Sequence, residues 1–199
     1  MKPLLERIFA QTGSQSSGHH CKFAHERNKA ELEDYWSIAF GDKLYTDKDF
    51  TADESALFWA DIGEGKAGSN EFKWYRASEK LAGHSLFGSN GVTPEDVRQG
   101  ALGNCWFLSA AAALAEEPGR IESVFVNDKA SKNGIYAVNF YTLGVPHTVI
   151  IDDYLPIREV YNEDTDDYEW ESYFAKMGPD NDIWFPLLEK AFAKYHGNY

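Results

Sequence analysis

Cysteine is scarce in this sequence: only Cys21 and Cys105 occur among 199 residues. Two distant thiols cannot build the disulfide framework that small secreted domains rely on, and they suit a reducing compartment. Long apolar runs are missing too. No stretch approaches the roughly 20 apolar residues that span a bilayer, and the opening apolar patch is broken at Glu6 and Arg7, unlike a secretory leader. The expected location is therefore the cytoplasm. Basic residues are in deficit, 19 Lys and Arg against 32 Asp and Glu, for a net charge of −13. A surface of that sign repels phosphate backbones and anionic lipid, so neither nucleic acid nor membrane is an expected partner. Divalent cations are better candidates, although most of the charge is accounted for by solubility alone.

Hydrophobic residues make up 43% of the chain, enough for one sizeable core. Residues 1–26 read as a flexible lead-in, rich in Gly, Ser, Gln and His over 11–20. The lead-in's His19-His20-Cys21 and His25 are metal-ligand types, but their spacing fits no common zinc pattern. From residue 27 to 199 the pattern is that of a folded α+β domain. Leu32, Tyr35, Trp36 and Ala39 recur at helical spacing between Arg27 and Phe40. Residues 41–91 are aromatic but aperiodic and are expected to wrap over a core, with Gly63–Asn70 as a loop. The clearest helix starts at Asn104, a favoured N-cap type, and runs through Trp106–Glu117 to the stop at Pro118-Gly119. It is apolar nearly all round and is expected to be buried. A short helix or turn over 119–126 follows. Gly134–Leu143 and His147–Ile151 read as a hairpin about the Gly144-Val145-Pro146 turn. Glu159–Glu171 is expected to be an exposed acidic turn between short strands, and Ile183–Tyr195 an amphipathic closing helix.

The chemically informative string is Gln99-Gly-Ala-Leu-Gly-Asn-Cys105-Trp106-Phe107-Leu108. A cysteine in the first turn of a helix faces unpaired N–H groups and the positive end of the helix dipole, which favour the thiolate. The thiolate is the attacking species of thiol enzymes. Gly103 lets a second backbone approach. The Gln99 amide and the Cys105 N–H are the two candidate donors to an oxyanion formed when Cys105 attacks a carbonyl. The competing reading is a small buried residue that happens to begin a helix.

Together with the small-residue helix that follows, this string resembles the nucleophile segment of the calpain family of cysteine proteases. Other segments agree in order: Tyr45-Thr-Asp-Lys-Asp-Phe50, Phe72-Lys-Trp74 with Arg76, Gly134-Ile-Tyr136, Val149-Ile-Ile-Asp-Asp-Tyr-Leu-Pro156, and Trp184-x-x-Leu-Leu-Glu-Lys-Ala-Phe-Ala-Lys194 with Gly197-Asn-Tyr199. The resemblance runs from about residue 27 to the end. It implies the first, cysteine-bearing subdomain of a papain-like protease core and calcium-dependent endopeptidase chemistry on protein or peptide substrates. One departure stands beside the nucleophile, Asn104 where many members carry aspartate.

The resemblance also implies a calcium site. By position it comprises the carbonyls of Ser89 and Gly91 with the carboxylates of Asp96 and Asp182, the kind of oxygen set calcium accepts. Here the family has glutamate where this chain has Asp182, and an apolar residue at 89. Helix-start chemistry is the plain alternative for both aspartates. The base and its orienting group, histidine and asparagine, lie in the family's second subdomain, beyond Tyr199, so the 199 residues alone are expected to be inactive. Three alternatives remain open. One is a self-contained Cys105–His147–Asp152 acyl-transfer set, although a solvent-facing His147 at a strand edge is the more ordinary expectation. Another is a non-catalytic calcium-binding or regulatory module. The last is a cation held by the acidic turn 162–169, which lacks the glycine and final glutamate of an EF-hand loop.

Overall fold

The computed structural model describes residues 29–57 and 71–199, except 31, 82 and 143. The lead-in expected over 1–26, its His and Cys cluster and the whole Gly63–Asn70 loop lie outside the described residues. Helix α1 covers residues 32–39. Its Leu32 and Tyr35 are buried against Val126, Ile135 and Ala137, which accounts for the helical spacing of its apolar positions. Within the aperiodic region lie strand β1 (Lys73–Arg76) and the short helix α2 (Ala77–Lys80). Helix α3 (Cys105–Ala115) and α4 (Arg120–Val124) follow.

Two antiparallel sheets complete the α+β architecture. Strands β2 (Ile135–Thr142) and β3 (Val145–Asp152) form a hairpin in register from Ile135 opposite Asp152 to Thr142 opposite Val145. Gly144 makes the turn at φ +78°, a conformation that glycine adopts without a Cβ clash. Strand β4 (Tyr154–Asn162) lies between β1 and β5 (Asp167–Ser172) in the second sheet. The expected acidic turn is thus mostly strand, and only residues 163–166 turn. Cross-strand pairing explains the difference. Tyr161 packs on Tyr168 at 5.3 Å between ring centroids, and Arg158 neutralises Glu171 across the ladder.

Helix α5 (Trp184–His196) is the keystone. Trp184 through Ala191 are all buried, including Glu189 and Lys190, and it packs on β2, β3 and β4. Gly197 at φ +108° ends it, donating to the Ala193 and Lys194 carbonyls. The Lys190 ammonium pairs with Asp152 and also donates to the Tyr154 carbonyl at 2.7 Å. Lys194 reaches Asp47 at 2.7 Å, and the Asp47 N–H in turn donates to Asp152 at 2.8 Å. These buried pairs tie α5, the β3–β4 corner and the stretch around Asp47 together; removing one partner of such a pair costs about 3–5 kcal/mol.

Helix α3 departs from expectation. Only Phe107, Ala111 and Ala115 are buried, while Cys105, Trp106, Ser109, Ala110, Ala113 and Leu114 face outward. Alanines on every side give the helix no polar face to mark which side meets the core. Its apolar outer face, with Trp106 at 62% and Leu114 at 42% exposure, is open.

Candidate functional site

Cys105 is the first residue of α3, and its thiol is free and exposed. Asn104 occupies the cap position, but its side chain does not cap. Instead its Nδ2 donates at 2.7 Å to Oε1 of Glu189 on α5. That long-range bond outcompetes the local one because Glu189 is a buried carboxylate in need of donors. The Asn104 carbonyl accepts from Phe107 and Leu108 at 2.8 and 3.3 Å, closing the first turn. Among the described residues the N–H groups of Cys105 and Trp106 have no acceptor. The helix therefore opens with free donors beside an exposed sulfur.

The segment carrying Gln99 is laid along residues 173–176 like a short strand. Lys176 donates to the Arg98 carbonyl at 3.0 Å and Ala101 to that of Tyr173 at 3.0 Å. Gly100 has to be glycine here, since a Cβ would fall 1.5 Å from the Phe174 carbonyl oxygen. Gln99 is exposed, and its Nε2 donates to the Leu102 carbonyl at 3.2 Å. One amide hydrogen is used to hold the side chain over its own loop, and the other remains for a ligand.

Glu189 was not singled out in the sequence. Its Oε2 accepts from Ala175 at 2.9 Å while Oε1 accepts from Asn104, so one carboxylate holds both the cap residue and the strand beneath Gln99. Burial pushes it up to about 7, although the Ala175 and Asn104 donors pull the other way. The available signal was a charged residue inside the apolar stripe Leu187-Leu188-x-x-Ala191.

His147 and Asp152 stand near opposite ends of β3, five residues apart, or about 17 Å at strand rise. Asp152 is already committed to Lys190 and Asp47. His147 is half-buried rather than solvent-facing, its ring 5.8 Å from that of Tyr195. A Cys105–His147–Asp152 triad is therefore not assembled, because the strand separates its last two members.

The loop 85–91, which carries Ser89 and Gly91, docks on residues 178–183, and Asp96 lies close enough to Asp182 for their charges to interact. Ser85 donates to Asn181 at 3.1 Å, and Ile183 donates back to Ser85 at 3.0 Å. Asp96 is buried and accepts from the Thr93 N–H at 2.8 Å, the Thr93 hydroxyl at 3.0 Å and the Trp184 indole at 3.2 Å. Asp182 is fully buried, and no donor reaches either carboxylate oxygen in good geometry, although the N–H groups of Gly178 and of Asp182 itself lie close enough to favour its charged form. Its carboxylate lies so close to Gly178 that a Cβ there would be 1.9 Å from Oδ2. Burial and then the neighbouring Asp96 charge push Asp182 up to about 7. Ser89 donates its hydroxyl to Asp180, an aspartate the sequence reading passed over, which also takes Asn90 at 2.8 Å. Among the described residues no three His, Cys, Asp or Glu side chains converge. A cation here would need main-chain oxygens beside the two carboxylates, and the poorly satisfied Asp182 carboxylate fits that role.

A model of the calpain family of cysteine proteases matches residues 45–199. Calpain-type cysteine protease ADL1 of Oryza sativa subsp. japonica is 33% identical over 167 residues, 81% of this chain and 7% of that protein. Calpain-8 of Mus musculus is 35% identical over 159 residues, and the calpain-1 catalytic subunit of Homo sapiens 31% over 159 residues. Each of those two alignments takes in 78% of this chain and 21% of the relative. The chain thus spans between 7% and 21% of the curated relatives named here. With the match running from Tyr45 through the exposed cysteine at the head of α3 to the end of the closing helix, this chain belongs to the calpain family of cysteine proteases.

Proposed function

We propose that residues 27–199 act as the cysteine-bearing subdomain of a calcium-dependent endopeptidase, with Cys105 as nucleophile. The observation that carries this reading is the exposed Cys105 thiol at a helix start whose N–H groups have no acceptor among the described residues. A peptide carbonyl carbon placed against Sγ would be attacked as the thiol proton passes to an imidazole. The carbonyl oxygen, becoming an oxyanion, would take hydrogen bonds from the Cys105 N–H and the free Gln99 amide hydrogen. Each such donor contributes about 2.7–4 kcal/mol to the transition state. Collapse releases the amine with the proton from the imidazole and leaves an acyl group on Sγ, which water then removes.

The imidazole and its orienting asparagine belong to a second subdomain, docked on the apolar outer face of α3 around Trp106 and Leu114. The 199 residues alone are then inactive. Asp96 and Asp182, with main-chain oxygens of Ser89 and Gly91, would hold calcium. A bound cation would supply positive charge beside the Asp182 carboxylate, held between the loop 85–91 and the residues that precede α5. A regulatory module that binds calcium without turnover would share the Asp182 site but have no use for Cys105.

Peptide hydrolysis by the purified chain tests this reading, with and without the second subdomain of a relative added in trans. No cleavage alone, and cleavage on addition that Cys105→Ala abolishes, is the expected result. Cleavage by the chain alone that Cys105→Ala abolishes contradicts the division of labour. Cleavage in trans that survives Cys105→Ala contradicts the nucleophile.

A further inference from the structure

Glu189 sits on α5, 85 positions from Asn104, and is 4% exposed. Its two oxygens are shared between two elements: Oε1 takes the Asn104 amide at 2.7 Å, and Oε2 takes the Ala175 N–H at 2.9 Å. Asn104 immediately precedes Cys105, and its carbonyl closes the first turn of α3. Ala175 belongs to the stretch on which the Gln99 segment is laid, between the Tyr173 carbonyl that holds Ala101 and the Lys176 N–H that holds Arg98. A single carboxylate thus sets the relative position of the nucleophile turn and the amide-bearing loop. No other side chain is hydrogen-bonded to both elements among the described residues.

We propose that Glu189 is a positioning residue for Cys105 and Gln99, acting through Asn104 and Ala175, and that its protonation state selects the orientation of the Asn104 amide. The proposal rests on Cys105 being the nucleophile. A carboxylate offers two acceptors to the two donors that face it, the arrangement observed. In that arrangement the Asn104 Oδ1 is buried without a partner. When Glu189 takes up a proton on Oε1, that oxygen becomes a donor facing another donor. A half-turn of the Asn104 amide removes the conflict, bringing Oδ1 round to accept the new O–H. The amide is a two-way joint next to the nucleophile, and aspartate at position 104 would not work this way, since it brings a second carboxyl to face the first.

The exchange falls in the neutral range, because burial holds Glu189 near about 7. The titratable group facing it from the C-terminus is the buried Tyr199 phenol, which the Glu189 charge helps to keep protonated. From the loop side it meets only the uncharged Asn104 and Ala175.

Glutamine at 189 is the discriminating variant. Its carbonyl can accept from Ala175 while its NH2 donates to a turned Asn104 Oδ1, so the arrangement of the protonated acid is fixed and the titration is lost. Alanine removes both. The test is the rate of iodoacetamide alkylation of Cys105 in the full 199-residue chain, followed by peptide mass spectrometry from pH 5 to 9. Wild type is expected to show a step near pH 7 beyond the titration of the thiol itself. Glu189→Gln should lose that step and keep, up to pH 9, the reactivity that wild type shows on its acid side. Glu189→Ala should react about tenfold more slowly than wild type above pH 8, the change expected from one lost hydrogen bond to a charged group. Circular dichroism confirms that each variant is folded. If Glu189→Ala fails to fold, the comparison of Glu189→Gln with wild type decides alone. Superimposable profiles for these two overturn the proposal. They leave the assignment of the nucleophile standing if Cys105 still reacts faster in the folded chain than in urea; if it does not, that assignment falls instead.

Discussion

Two buried carboxylates, Glu189 and Asp182, bracket the start of α5 and meet the same cost in opposite ways. Both are pushed up to about 7 by burial. Glu189 is answered from within the chain by two hydrogen-bond donors. Asp182 gets only a weak pull from its own N–H and that of Gly178, and the nearest charge, Asp96, is of its own sign. The chain completes the geometry behind Cys105 with its own atoms. At the loop 85–91 it leaves a charge that only something added can balance. A self-sufficient anchor beside an incomplete one is what the proposed calcium dependence would require, with the geometry behind Cys105 preset and the support at the loop 85–91 conditional.

The strongest way to break the self-sufficient side is Gly100→Ala. A Cβ 1.5 Å from the Phe174 carbonyl forces the Gln99 segment off its partner strand. A loss of about 3 kcal/mol or more in unfolding free energy is expected from denaturant titration.

Next comes Asp182→Asn, which removes a charge the fold does not balance. Asp182 lies at about 7 when folded, against an ordinary aspartate value of 3.8, so its contribution to stability is full at acid pH. It is lost as pH rises through about 7. The variant should therefore gain on the order of 3 kcal/mol over wild type at pH 8 without metal and nothing at pH 3.5, measured as urea midpoints.

Calcium chloride should sharpen the contrast. It is expected to raise the melting temperature of wild type and of Glu189→Gln by several degrees at saturation, and to leave Asp182→Asn unmoved. Differential scanning fluorimetry reads both. An equal rise in all three detaches the cation from Asp182.

The smallest effect belongs to Glu171 on β5. Arg158 and Lys176 hold it below the usual carboxylate range against the opposing effect of burial. This ion pair is partly exposed, so Glu171→Gln should cost under about 1 kcal/mol at pH 7 and nothing below pH 3.

The nucleophile segment and the closing helix were legible because their signals are local. A motif places Cys105 at a helix start, and apolar spacing marks α5. The β2–β3 hairpin was legible from alternation and its glycine turn. What escaped depends on residues distant in sequence. Asn104 looks like a cap until Glu189, 85 positions on, offers a stronger acceptor. An alanine-rich helix is equally apolar on all sides, so only the fold shows that α3 keeps one face open. Strands β4 and β5 were obscured by acid, since Glu169 and Glu171 alternate with Tyr168 and Trp170, and the pairing rests on partners in the other strand, Tyr161 opposite Tyr168 and Arg158 opposite Glu171.

The central claim is that the fold presents Cys105 as an activated nucleophile, and its reaction with iodoacetamide at pH 7 tests this most directly. The rate is measured on the folded chain and again on the same chain in urea, with the label assigned by mass spectrometry. Faster alkylation of Cys105 in the folded chain is the expected result. Equal or slower alkylation would mean that the helix start only shelters the sulfur, and would contradict the account.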